Sequence, residues 1–186
     1  IEYDAKVSPG GNHISFIRDG AVYVIDLDSG EETRVTPLAD PDKAISFGVA
    51  EFVAQEEMSR YTGYWWSPDE RFLAYSKVDE SPVDIIPRFD IAAEDVTVIE
   101  HRYPRAGRPN ALVELNVLDR ETGNVISLIS VGPDDYLARV NWSGPETLWF
   151  QTVDRDQTAI TYHKSTAPDW SARAAFEEYQ QTWVNL

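Results

Sequence analysis

Gly63-Tyr64-Trp65-Trp66-Ser67-Pro68-Asp69-Glu70-Arg71-Phe72-Leu73-Ala74-Tyr75 reads as two strands joined by a tight turn. Aromatic and apolar residues on both sides favour a pleated, half-buried surface, and Ser-Pro-Asp between them is turn chemistry. The pattern recurs. Val7-Ser8-Pro9-Gly10 precedes Ile14-Ser15-Phe16-Ile17, and a worn copy, Trp142-Ser143-Gly144-Pro145, precedes Leu148-Trp149-Phe150. A second pattern runs beside the first. Ala21 to Leu27 is followed by Asp28-Ser29-Gly30 and a return strand from Glu31. Leu112 to Leu118 is likewise followed by Asp119-Arg120-Glu121-Thr122-Gly123 and a strand from Asn124 to Ile129. Each unit is therefore four antiparallel strands in series, the signature of β-propeller blades. The expectation is an all-β chain, a partial β-propeller of about three blades, with blade-like units over about 1–60, 61–110 and 111–186.

Three blades do not close a ring, since propellers typically carry four to eight. The chain opens on Ile1-Glu2-Tyr3 and stops within an apolar alternation at Trp183-Val184-Asn185-Leu186, so it reads as a piece of a longer protein. Two insertions lengthen the first two units. One contains Glu56 and Glu57; the other runs from Pro82 to about Pro109. Phe52 to Arg60 has the composition of a short helix. Ser171 to Gln181 has helical propensity too, but a last blade strand is due there, and the expectation is a strand.

Of the 186 residues, 42% are hydrophobic and 12% aromatic, enough for a packed interior. The net charge of −16, from 32 acidic against 16 basic residues, argues against nucleic acid as a partner, because phosphate binding needs clustered Lys and Arg. With no cysteine there is neither a disulfide nor a thiolate metal site. No apolar run reaches the ~18 residues of a membrane span. There is no G-x-S-x-G elbow, P-loop, dinucleotide glycine pattern or His-x-x-x-His pair. His13, His101 and His163 are isolated, and His13 and His163 sit in or beside strand patterns. Asp134-Asp135 and Asp154-Arg155-Asp156 lie at turns, where Asp is ordinary. No cofactor, metal or catalytic residue is expected in this chain, and taken alone it is expected to be inactive.

Glu56 and Glu57 stand out. Adjacent carboxylates repel, and a ligand ammonium would relieve that repulsion through charge-assisted hydrogen bonds. The plainer alternative is a solvated face of a short helix. A free α-amino group offers three donors, which suits two carboxylates and one carbonyl. Trp65 and Trp66 alternate across a strand and are expected to anchor the blade. Arg60, Arg102, Arg105 and Arg108 are expected to pair with carboxylates or lie exposed, and Tyr103 to Asn110 forms a proline-framed crossing.

Three segments, in order, resemble the propeller domain of the dipeptidyl peptidase IV branch of the prolyl oligopeptidase family of serine peptidases. They are Gln55-Glu56-Glu57-Met58 leading to Gly63-Tyr64-Trp65-Trp66-Ser67-Pro68-Asp69, then Arg102 to Asn110, then Trp183-Val184-Asn185-Leu186. The resemblance implies an eight-bladed propeller capping an α/β-hydrolase domain of the same polypeptide. It implies that Glu56 and Glu57 hold the free N-terminus of a peptide substrate, so that dipeptides are released, typically after Pro or Ala. The Ser-Asp-His triad would lie beyond Leu186, and the 82–101 arm would contribute to a homodimer. A periplasmic or secreted location is also implied. The alternative from another class is a non-catalytic propeller serving as a protein-interaction scaffold.

Overall fold

A computed structural model describes all residues from Ile1 to Leu186. Fifteen strands and one α-helix build three antiparallel sheets and a hairpin. The first sheet is β1 (Glu2–Val7), β2 (His13–Arg18), β3 (Ala21–Asp26) and β4 (Glu32–Arg34), paired in chain order. The second holds β5 (Ile45–Phe47), β6 (Tyr64–Trp66), β7 (Phe72–Asp79), β10 (Leu112–Asp119) and β11 (Val125–Val131), in the order β11-β10-β7-β5 with β6 also on β7. The third is β12 (Asp135–Gly144), β13 (Thr147–Asp154), β14 (Ala159–Thr166) and β15 (Arg173–Tyr179), again in chain order. This is the partial propeller anticipated from the repeats. The boundary between the second and third sheets falls at 132–134, because β10 pairs with β7 along its whole length.

The repeated Ser-Pro segment occupies the same place in every sheet, the turn between its first and second strands. In the first sheet the Ser8 N–H bonds to the His13 carbonyl at 2.9 Å, and Ser8 Oγ accepts the His13 N–H at 2.9 Å. In the second, Ser67 repeats both bonds with Phe72, at 2.9 and 2.8 Å. The hydroxyl thus satisfies a buried amide that the turn would otherwise leave unpaired.

Sheets pack face to face, and β7 shows why its sequence is almost continuously apolar. Phe72, Ala74 and Val78 enter the core shared with the third sheet, beside Leu115, Leu148 and Phe150. Leu73 and Tyr75 point the other way, into a core with Ile17, Val22 and Tyr64 of the first interface. A strand buried on both faces loses the polar alternation of an exposed one. The double tryptophan divides the same way. Trp66 is buried in the core toward the first sheet and donates its Nε1–H to Ser15 Oγ at 2.9 Å. Trp65 packs on the opposite core, and its carbonyl accepts from Trp142 Nε1 at 3.1 Å. Lys6 ties the first strands together: its ammonium donates to the Tyr64 carbonyl at 2.7 Å, pairs with Asp4 at 3.1 Å and lies 3.4 Å from the centre of the Tyr64 ring.

Arg173–Tyr179 is a strand, so its position at the sheet edge overrides helical propensity. His13, His101 and His163 all lie in strands. Asp154 does turn work: its carboxylate accepts the Thr158 and Ala159 N–H groups at 2.7 and 2.8 Å. The Pro82–Pro109 insertion is a separate hairpin of β8 (Ile85–Ile91) and β9 (Val96–Arg102). Its base is clamped by Asp84, which accepts from Arg105 at 2.7 Å and from Arg108 at 2.8 and 3.0 Å. The Arg108 and Arg105 guanidiniums hold the Asp84 carboxyl well below the usual carboxylate range. Arg102 caps the Val83 carbonyl at 2.7 Å.

Candidate functional site

Glu56 and Glu57 sit on the helix α1 (Phe52–Met58). The helix belongs to an excursion over residues 48–63 that leaves and rejoins one edge of β7. β5 pairs with Lys77 to Asp79 and β6 with Leu73 to Tyr75, so the helix interrupts what would be the first strand of this sheet. Ser76, fully buried, pins both feet. Its carbonyl accepts the Gly48 N–H at 2.7 Å and its N–H donates to the Gly63 carbonyl at 2.8 Å. Its hydroxyl donates to the Val49 carbonyl at 2.6 Å. The feet approach so closely that a Cβ on Gly63 would lie 2.5 Å from the Gly48 carbonyl carbon, which is why that position is glycine.

A seven-residue helix does not hold itself together in water. Here its seat does so. Ala54 and Met58, one turn apart, are buried, and Met58 packs with Ala138, Val153, Ile160 and Val184 of the third sheet and the C-terminal segment. The closing Trp183-Val184-Asn185-Leu186 segment thereby acquires a structural reason: Val184 is part of the floor beneath the helix. Phe52 meets Tyr103 edge-on at 4.9 Å, joining the helix to the base of the hairpin. Gln55 turns back and donates to the Ala50 carbonyl at 2.7 Å.

That leaves Glu56 and Glu57 on the far face. Both are exposed, and neither carboxylate is taken up by a hydrogen-bond or ion-pair partner within the chain. Successive helical positions diverge by roughly 100°, so the two converge on one cation only over the helix edge.

Glu51 and Arg60 stand at the two ends of the helix, and their side chains are only 4% exposed each. Glu51 Oε2 accepts the Ala54 N–H at 2.6 Å as the N-terminal cap. Its Oε1 lies 3.3 Å from Arg60 Nη2. Burial pushes the Glu51 carboxyl above its ordinary value, against the pull of the Arg60 charge. Arg60 is thus a carboxylate partner, one of the two alternatives its sequence left open. Glu51 was not singled out from sequence, although an acidic residue directly before a helical stretch is a capping signal. Behind the helix, burial likewise raises Glu80, and burial with the neighbouring Asp154 raises Asp135.

No three His, Asp or Glu side chains gather closely enough to hold a metal ion, and no helix is long and apolar enough to cross a membrane. The hairpin presents one apolar face: Ile85, Phe89 and Ile91 on β8 and Val96 and Val98 on β9 are all more than half exposed, with Phe89 opposite Val98 and Ile91 opposite Val96.

The family model described as the dipeptidyl peptidase IV (DPP IV) N-terminal region matches residues 2–186. Mouse dipeptidyl peptidase 8 is 32% identical over 191 residues, covering 86% of this chain and 21% of that protein. Cat dipeptidyl peptidase 4 is 28% identical over 199 residues, covering 95% of this chain and 26% of that protein. The crystal structure of dipeptidyl peptidase 4 from Porphyromonas gingivalis superposes with a TM-score of 0.87 over 98% of this chain and 26% of its own, at 21% identity, which establishes the shared fold. The chain spans between a fifth and about a quarter of these relatives' length.

Proposed function

The chain belongs to the dipeptidyl peptidase IV N-terminal region family, and from that premise we propose that it is the substrate-recognition part of a serine exopeptidase that removes N-terminal dipeptides, preferentially after Pro or Ala. In this reading Glu56 and Glu57 bind the substrate's α-ammonium, and bond cleavage belongs to a hydrolase domain of the same polypeptide. The observation that carries the reading is the placement of two unpartnered, exposed carboxylates on a helix whose Phe52, Val53, Ala54, Gln55 and Met58 side chains are all packed or hydrogen-bonded elsewhere. Three ammonium donors facing two carboxylates form charge-assisted bonds, roughly twice as strong as neutral ones. An acetylated N-terminus offers no charge and one donor, so such a site rejects it, and the peptide is measured from its free end.

The hairpin over 82–101 suits a second copy of the chain. A lone two-stranded hairpin is marginal in water, and a contiguous apolar face calls for a partner.

The test uses the full-length polypeptide. Cleavage of a Gly-Pro chromogenic anilide is compared with that of its N-acetylated form, in wild type and in Glu56→Ala and Glu57→Ala. The expected result is strong preference for the free amine, lost in both variants. Equal rates on the two substrates, or full activity in the variants, would sink the reading.

A further inference from the structure

The helix that carries Glu56 and Glu57 is two turns long, so its aim depends on what grips its ends. Ordinary capping fixes one end at a time. Here a single side-chain pair spans both. Glu51 caps the first turn through Oε2, at 2.6 Å from the Ala54 nitrogen. Its other oxygen receives Arg60 Nη2, at 3.3 Å, from beyond the last turn. The Arg60 backbone N–H closes the helix on the Ala54 carbonyl at 2.9 Å. The rest of the guanidinium is spoken for as well: Nη1 donates to the Thr62 carbonyl at 2.9 Å and Nε to the Leu137 carbonyl at 3.1 Å. Leu137 lies on β12, so the same guanidinium references the helix to the neighbouring sheet.

A buried ion pair contributes little net stability, because desolvation of two charges offsets their attraction; apolar residues of the same volume usually do as well or better. What a planar guanidinium with three fixed acceptors supplies is direction. We propose that Glu51 and Arg60 are positioning residues for N-terminal recognition: the pair sets the angle at which the helix presents Glu56 and Glu57 to the substrate ammonium. This inference rests on the role assigned to Glu56 and Glu57 above. It makes Arg60, which touches no substrate, a determinant of how strictly the enzyme demands a free amine.

The experiment measures kcat and KM of the full-length polypeptide on Gly-Pro-p-nitroanilide and on the N-acetylated form. The variants are Glu51→Gln with Arg60→Met together, Arg60→Lys alone, and Glu56→Gln as reference. The double variant removes both charges and leaves neither orphaned. Its KM for the free-amine substrate is expected to rise about tenfold, with kcat within about twofold and the residual N-acetyl rate unchanged, since misaimed binding groups cost affinity for the group they aim at. Arg60→Lys keeps the charge but loses the fork, and an intermediate rise of about threefold is expected; it keeps the question open to measurement should the double variant fail to fold. A wild-type ratio between the two substrates in both variants overturns the proposal, as does an equal loss of kcat on both substrates, which would mark a merely structural pair. If Glu56→Gln collapses the ratio and the other variants do not, only the positioning role falls. If Glu56→Gln leaves the ratio intact, the recognition reading falls and the positioning role falls with it.

Discussion

Glu70 offers a stringent test of how neighbouring blades are joined. It follows the Ser-Pro-Asp turn between β6 and β7, with its backbone in the left-handed region at φ +65°, a conformation that costs a non-glycine residue ~1 kcal/mol. The carboxylate reaches the equivalent turn of the first sheet, where Oε1 accepts the Gly10 N–H at 2.6 Å and Oε2 accepts from Asn12 Nδ2 at 2.7 Å. Against the upward pull of burial, hydrogen bonds from Ser8, Asn12 and the Gly10 N–H hold the Glu70 carboxyl down at about 2. The gap from its ordinary 4.5 corresponds to ~3 kcal/mol, and screening at a turn near the surface brings that to ~2 kcal/mol. Glu70→Gln keeps the shape but cannot accept at both positions. The Gly10 amide should then exchange with solvent about 30-fold faster at pH 7, at 1.4 kcal/mol per tenfold. Because the folded carboxyl titrates below its ordinary value, the stabilisation is complete above about pH 4.5 and fades as pH falls toward 2. Hydrogen–deuterium exchange of the segment containing Gly10, in the full-length polypeptide and corrected for intrinsic rates, reads this directly. A difference below about threefold at pH 7, or one that persists undiminished near pH 2, refutes the reasoning.

Other expectations follow from the same packing. Gly63→Ala drives a Cβ into the backbone of Gly48 and Val49, and the displaced loop should cost ~1–3 kcal/mol, seen as a lower unfolding midpoint; an unchanged midpoint would mean that the two feet of the excursion can part freely. Asp84→Ala releases Arg105 and Arg108 and should raise proteolytic cleavage within Pro82–Pro109. Since the Asp84 carboxyl is held below its usual range, wild type should approach the variant's susceptibility only in acid, as pH falls below the ordinary carboxylate value; equal cleavage at pH 7 would contradict the clamp. Phe89→Asp with Ile91→Asp places charge on the apolar hairpin face; with a second copy seated there as proposed, it should shift the full-length polypeptide toward monomer in light scattering, and an unaltered mass would count against that role of the hairpin.

Much of this was legible in the sequence because it depends on short-range rules. The Ser-Pro turns at Ser8 and Ser67 use the same bonds five residues ahead, so each copy carries its own instruction. The helix around Glu56 and Glu57 shows in local propensity, and the family resemblance singled out both residues. Arg173–Tyr179 needed one step more, since its propensity is helical and only its place at the end of a four-strand repeat makes it a strand. The grouping of strands into sheets was less accessible. Leu112–Asp119 continues the second sheet because all eight of its residues pair with β7 across the hairpin insertion, a contact that no local pattern announces.

By its own residues, then, the chain determined blades, turns, a short helix and a pair of adjacent carboxylates on it. Tertiary structure alone decided where that pair stands and what grips the ends of its helix. β5 and β6 share one edge of β7, so the helix breaks the first strand of a sheet, and Arg60 reaches Leu137, 77 positions away, while closing on Glu51. Periodicity reports which face of an element is apolar. It carries no information on which distant carbonyl will meet a buried guanidinium, because that choice is made by the packing of whole sheets against one another.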